Sequence, residues 1–203
     1  MNNNNTKYSG NSPRGKKNNV KTFLVDVECE WGSKSPYSGR MTEFGAVELE
    51  SGRTYHGILF DAVKDPENDV KFTIKEGDTG HNIKQVMSDF KLWIDTFKAD
   101  RCIFVSDNPA YDYMWIIEAF DRAGIENPFG HSARRIGDFA AGLENNWYKQ
   151  SSWKKHRKTK HDHNPVNDAL GNREALLKLL KQCNKHEKRS WYYNVSSMET
   201  YLR

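Results

Sequence analysis

The chain has 203 residues, a formal net charge of +4, and 36% hydrophobic against 29% charged residues. That length suits one domain with a continuous core, and no apolar run approaches the roughly 20 residues that cross a bilayer, which argues against a membrane-spanning helix. Three cysteines, Cys29, Cys102 and Cys183, are scattered without CxxC spacing; this argues against a disulfide framework and for a reducing compartment, read as the cytoplasm.

Residues 1–19 (MNNNNTKYSGNSPRGKKNN) hold almost nothing to bury and lack the apolar stretch of a secretory signal. They read as a disordered, slightly basic tail ahead of a single domain over 20–203. Thr22–Glu28, Glu43–Glu50 and Arg53–Phe60 read as three strands, the last two joined by a Ser51-Gly52 turn, which suggests an antiparallel meander. Between Asn82 and Ala99 the period changes, and Val86, Phe90, Trp93, Ile94 and Phe97 recur at helical spacing. Arg101–Ser106 reads as a buried strand and Asn108–Ala123 as a helix, while Ile136–Leu143 is open between strand and helix. Asn167–Gln182 is an amphipathic helix with Leu176, Leu177 and Leu180 on one face. Strands followed by alternating helix and strand predict an α/β fold, a mixed sheet flanked by helices.

Three short segments carry the chemistry. Asp26 and Glu28 stand two residues apart on the first strand, so both leave the same face, while Val25, Val27 and Cys29 point the other way. Two acids at the end of an apolar strand are costly unless a cation neutralises them, although for the pair taken alone a solvated strand end is the better explanation. Asp107-Asn108-Pro109-Ala110-Tyr111-Asp112 lies where a strand gives way to a helix. Capping accounts for Asp107 or Asn108, but gives no reason for Asp112 in the first turn. His163-Asn164-Pro165-Val166-Asn167-Asp168 opens the last helix, with Asn167 as a candidate cap and His163 on the preceding loop. Any one segment has an ordinary structural explanation; the ordered set of three does not.

In these segments, VDVE (Val25–Glu28), DNPAYD (Asp107–Asp112) and HNPVND (His163–Asp168), the chain resembles the DEDDh 3′→5′ exonucleases of RNase H-like fold over roughly residues 22–182. The histidine lies five residues before the last acid, as in the histidine branch. A narrower likeness, in FVSDNP (Phe104–Pro109), NPFGHSARRIGD (Asn127–Asp138) and HNPVNDALGNREAL (His163–Leu176), is to stand-alone bacterial-type exoribonucleases. Asp107 departs from many proofreading relatives, which carry His there. The resemblance implies a meander continued by parallel strands, release of nucleoside 5′-monophosphates from 3′ ends, RNA ahead of DNA as substrate, and a homodimer. It implies Asp26, Glu28, Asp112 and Asp168 as ligands of two Mg²⁺ ions, with Mn²⁺ as a substitute, since hard oxygen donors suit these ions rather than zinc. His163 would take the proton of the attacking water. Asp138 and Asn108 would support the site without binding metal.

Substrate contacts are read from the residues themselves. Asn145–His161 contains no acid and holds Lys149, Lys154, Lys155, Arg157, Lys158 and Lys160, with Trp147, Tyr148 and Trp153 among them. Cations that track phosphates and aromatics that stack on bases suit a groove for single-stranded nucleic acid; a solvated basic loop anchored by its aromatics is the competing explanation. Trp31 can stack on a terminal base and Met41 wedge beneath the next, or both can pack in the core. Arg135 can meet a phosphate, Asp138 or a partner subunit. His156, His161 and His163 lack the cysteine pair that would complete a zinc site. The competing functional readings are a DNA-directed exonuclease, a phosphodiesterase limited to very short oligomers, and a non-catalytic nucleic-acid-binding module of the same fold.

Overall fold

Alternation along the first strand divides the core in two. In β1 (Val20–Cys29), Phe23, Val25 and Val27 enter one buried cluster, and Leu24 enters another on the opposite face, as the two-residue period of a strand requires. The structure, a computed structural model, describes residues 19–187. The expected tail through residue 18, and residues 188–203 of the expected domain, lie outside the described residues.

The meander expected from the sequence is present. β1 pairs antiparallel with β2 (Met41–Glu48), and β2 pairs antiparallel with β3 (Thr54–Ile58). Gly52 makes the turn between them at φ 72°, a left-handed conformation glycine adopts without strain. Next comes a separate hairpin of β4 (Ala62–Asp65) and β5 (Asn68–Ile74). The sequence reading did not include it, although Val70, Phe72 and Ile74 alternate with polar residues along β5; of these only Phe72 is buried, and Val63 and Val70 are exposed. On the other edge of β1 lies β6 (Arg101–Ser106), parallel to it, followed by β7 (Ala133–Arg135), parallel again. The five-stranded sheet therefore runs β3-β2-β1-β6-β7.

Helices cover both faces. α1 (Ile83–Asp95) is capped by Asn82, whose Oδ1 accepts the amides of Lys84 and Gln85, and buries Met87, Phe90 and Ile94. α2 (Pro109–Ala123) starts with Pro at its first turn and stops at Gly124 in the left-handed conformation. Both pack on the cluster containing Phe23, Val25 and Val27. The ambiguous segment at 136–143 is helical, α3 (Ile136–Leu143). With α4 (Pro165–Glu187) and Trp153, from a short 3₁₀ turn at Ser152–His156, it closes over Leu24 and Val105. α4 begins before the expected Asn167. Asn164 is the cap instead, its Oδ1 accepting the Val166 and Asn167 amides at 3.1 and 3.2 Å.

One glycine sets where α4 lands. Gly45 of β2 lies opposite Asp26, and a Cβ on it would fall 2.3 Å from the Pro165 carbonyl carbon. The first turn of α4 rests on the backbone of the sheet, at a separation no side chain permits. That seat brings Asp168 beside the acids of β1.

Candidate active site

Three elements deliver four carboxylates to one place. Asp26 and Glu28 continue the Leu24 face of β1 toward α4, Asp112 lies in the first turn of α2, and Asp168 in the first turn of α4. Asp26, Asp112 and Asp168 are only 8%, 4% and 0% exposed. Asp26, Glu28 and Asp168 each offer an oxygen within 4.8 Å of the others. Among the charges around Asp26, Asp112 acts most strongly, followed by Asp107, Asp168 and Glu28.

Burial and neighbouring anions oppose ionisation of Asp26, Glu28 and Asp112. Burial first, then these neighbouring anions, holds Asp26 well above the usual carboxylate range. Glu28 is pushed up to about 8, by burial and then by Asp168, Glu43, Asp112 and Asp107. Asp112 is also pushed up to about 8, by burial and then Asp107, against the pull of Ser106 and the Asn108 and Val27 amides. The Oδ2 atoms of Asp112 and Asp168 are buried without a hydrogen-bond partner. Desolvated hard oxygens with unengaged lone pairs fit a divalent cation such as Mg²⁺ or Mn²⁺, whose charge would remove both penalties.

His163 stands at the edge of the acids. Its Nδ1 is 3.3 Å from Glu28 Oε1, and its ring meets Phe72 of β5 edge-on at 6.1 Å between centroids. Its backbone is left-handed, φ 60°, an uncommon conformation for a residue with a side chain. Asp162, which accepts the Asn164 amide and the Asn167 side chain, ties down the loop on either side. A second imidazole lies alongside: the His161 ring is 4.4 Å from that of His163, and its Nδ1 is 2.7 Å from Asp168 Oδ1.

The other sequence candidates divide by placement. Arg157, expected among the cations of a substrate groove, turns inward instead. It is 11% exposed and donates to Asp168 Oδ1 at 2.7 Å and to Asn172 Oδ1 at 3.1 Å. Lys154, Lys155 and Lys158 are exposed, with Lys155 reaching Glu144 at 3.6 Å and Lys154 over the Trp153 ring. Trp153 is a buried anchor, whereas Trp147 and Tyr148 face solvent. Trp31 is 56% exposed, its amide donating to the Phe72 carbonyl and its ring lying 5.4 Å from Lys71 Nζ. Met41 is buried in the core, so packing rather than a wedge describes its side chain. Arg135 holds the end of β6, donating to the Asp107 carbonyl at 3.0 Å and to Gln150 at 3.2 Å, with exposed Asp138 at 3.4 Å. The Asn108 side chain makes no capping hydrogen bond to α2; its carbonyl accepts the Tyr111 and Asp112 amides.

Several residues at the site escaped the sequence. Asp107, the first residue of the second segment, is a fifth acid acting on Asp26 and Asp112, where the sequence offered it only as a cap. His161 was visible as a histidine but had no spacing rule linking it to Asp168. Phe72 arrives on the unforeseen hairpin; the alternation of Val70, Phe72 and Ile74 marks a strand there, but nothing local links it to His163.

No known family profile matches the chain, and no curated protein matches it in sequence. Solved structures do. The chain is similar to the nuclease domain of 3′hExo, a DEDDh family member bound to rAMP, at 13% identity and a TM-score of 0.58, over 80% of this chain and 93% of that one. It is similar to a 3′-exonuclease recognising the histone mRNA stem-loop, at 12% identity and a TM-score of 0.55, over 83% and 85%. A full-length 3′-exonuclease aligns at 14% identity and a TM-score of 0.52, over 83% and 84%. In fold, then, this chain is a mixed α/β sheet domain of the kind seen in the nuclease domains of DEDDh 3′-exonucleases.

Proposed function

We propose that this chain is a divalent-metal-dependent 3′→5′ exonuclease, acting as an exoribonuclease on single-stranded RNA or 3′ overhangs and releasing nucleoside 5′-monophosphates. The observation that carries the reading is the convergence of Asp26, Glu28 and Asp168 within ligand distance, with Asp112 acting on the same acids, beside His163; the buried Oδ2 atoms of Asp112 and Asp168 have no hydrogen-bond partner. These four acids would hold two Mg²⁺ ions, or Mn²⁺ in their place. Bound there, the ions would supply charge neutralisation at the scissile phosphate and the departing 3′-oxygen.

The chain's own groups account for the rest. His163 accepts the proton of the attacking water, and Glu28, facing its Nδ1, steadies the imidazole. Trp31 offers an open ring for the terminal base, and Lys154, Lys155 and Lys158 lie outward where phosphates would pass. RNA as the substrate is supported by the motif resemblance to exoribonucleases and by the ribonucleotide ligands of two structural neighbours. The same resemblance extends the reading to a homodimer, and the scattered cysteines to the reducing cytoplasm.

The test is product analysis on matched 5′-labelled RNA and DNA oligomers with Mg²⁺, beside an Asp26→Ala control. The expected result is stepwise shortening from the 3′ end to 5′-monophosphates, faster on RNA and absent in the control. Mononucleotide release that ignores Mg²⁺, or persists in Asp26→Ala, contradicts the assignment.

A further inference from the structure

Arg157 sits where the basic stretch leads into the site, yet it does not face the solvent. Its Nη2 donates to Asp168 Oδ1 at 2.7 Å and its Nη1 to Asn172 Oδ1 at 3.1 Å, so one guanidinium grips two residues one helical turn apart on α4. Asp168 and Asn172 are both fully buried. A carboxylate in that position needs a partner of opposite charge, and the rigid fork of arginine supplies it with direction as well as charge.

The helix is built to receive this side chain. Gly171 lies inside α4, where glycine is a poor helix former, and a Cβ on it would fall 2.5 Å from Arg157 Nε and 2.7 Å from Nη2. The glycine is the opening through which the guanidinium reaches Asp168. Neighbouring backbone secures the approach: the Lys158 and Thr159 amides both donate to Glu174 of α4, at 2.6 and 2.9 Å.

The two oxygens of Asp168 are consequently unequal. Oδ1 is engaged by Arg157 and by His161, while Oδ2 is buried with no hydrogen-bond partner. We infer that Arg157, admitted by Gly171, is a positioning residue that ties Oδ1 of Asp168 and turns Oδ2 toward the divalent-cation site. This rests on the metal-centre reading above and assigns Arg157 a task distinct from phosphate contact. The two imidazole and guanidinium partners of Oδ1 differ in kind: His161 is exposed on a loop, whereas Arg157 is enclosed.

The decisive experiment titrates Mg²⁺ into the full-length chain without substrate, following heat of binding and melting temperature, for wild type, Arg157→Lys and Gly171→Ala. Lysine keeps the charge but loses the fork; alanine at 171 leaves Arg157 in the chain but blocks its seat. Both variants are expected to bind Mg²⁺ about 10–100-fold more weakly, the usual consequence of losing a group that orients a metal ligand. The KM for an RNA oligomer and its salt dependence should stay at wild-type values, while the Mg²⁺ concentration giving half-maximal rate rises. Should Arg157→Lys fail to fold, Gly171→Ala carries the same comparison. Wild-type Mg²⁺ affinity in the folded variants overturns the inference, even where their melting temperatures fall, because a purely structural role would give that pattern. Normal Mg²⁺ affinity with weakened RNA binding also overturns it and returns Arg157 to the phosphates. No Mg²⁺ response in wild type strikes the metal-centre reading itself, and this inference with it.

Discussion

Two groups of acids and histidine in this molecule have similar composition and opposite character. Asp61, Asp78 and His81 cluster within 4.8 Å on the surface beside the β4–β5 hairpin. There the Asp78 carboxylate accepts the Gly80 amide at 2.9 Å and the Asp61 amide at 2.5 Å, and these bonds hold it below the usual carboxylate range. Around Asp26 the reverse applies: burial and neighbouring anions raise Asp26, Glu28 and Asp112, and buried oxygens lack partners. Proximity of ligand types is common to both clusters. What distinguishes them is burial and pairing, since the outer cluster is open to solvent and backbone amides satisfy Asp78 as an anion, whereas the inner acids are enclosed with buried oxygens left unpaired.

The sharpest way to break this comparison is to remove one acid from each. Asp112→Asn or Asp168→Asn should lower exonuclease turnover by about 10³-fold or more, since several kcal/mol of charge stabilisation are at stake. Asp61→Asn and Asp78→Asn should leave turnover unchanged and stability within about 0.5 kcal/mol. Equal losses in single-turnover assays would show that clustering alone decides. Within the site, the two imidazoles can be separated the same way. His163→Ala should slow the chemical step about 10²–10⁴-fold, the range of a general base. His161→Ala should act far less, because Arg157 still holds Asp168; the opposite ranking reassigns the proton acceptor.

A pH series sharpens the electrostatic half of the contrast. Glu28 and Asp112 ionise at about 8 in the folded chain, against ordinary values of 4.5 and 3.8. The folded protein therefore binds more protons than the unfolded chain between about 4 and 8. Without metal, their contribution to stability is fully present below about pH 4 and is lost as pH rises through about 8. Mg²⁺ must displace those protons, so the rise in melting temperature it produces should be small near about pH 5.5 and several degrees near about pH 8.5. A Mg²⁺ shift independent of pH in differential scanning calorimetry would contradict this.

The smallest expected effect belongs to the exposed cations. Neutralising Lys154, Lys155 and Lys158 should weaken RNA binding and reduce the slope of log affinity against log salt by about 0.7 for each phosphate they would otherwise neutralise. An unchanged slope identifies them as a solvated face.

What could be read in the sequence follows from which forces act locally. The strand acids were legible because a two-residue period puts Asp26 and Glu28 on one face without reference to anything distant. Asp112 and Asp168 were legible as first-turn residues of helices with recognisable starts, although the cap of α4 proved to be Asn164 rather than Asn167. The inward turn of Arg157 was hidden, because in the sequence it is one cation among several. Only the three-dimensional seat made by Gly171 separates it from Lys154, Lys155 and Lys158. The role of the β4–β5 hairpin was hidden for a related reason. Val70, Phe72 and Ile74 alternate with polar residues as a strand's do, but only Phe72 of the three is buried, and it packs on a loop distant in sequence.

The most direct measurement is a crystal soaked in Mn²⁺, with the ions located by anomalous scattering. Two peaks about 3.5–4 Å apart, coordinated by Asp26, Glu28, Asp112 and Asp168, are the predicted result. A map with no manganese among these four carboxylates, or with manganese only at Asp61, Asp78 and His81, would contradict it.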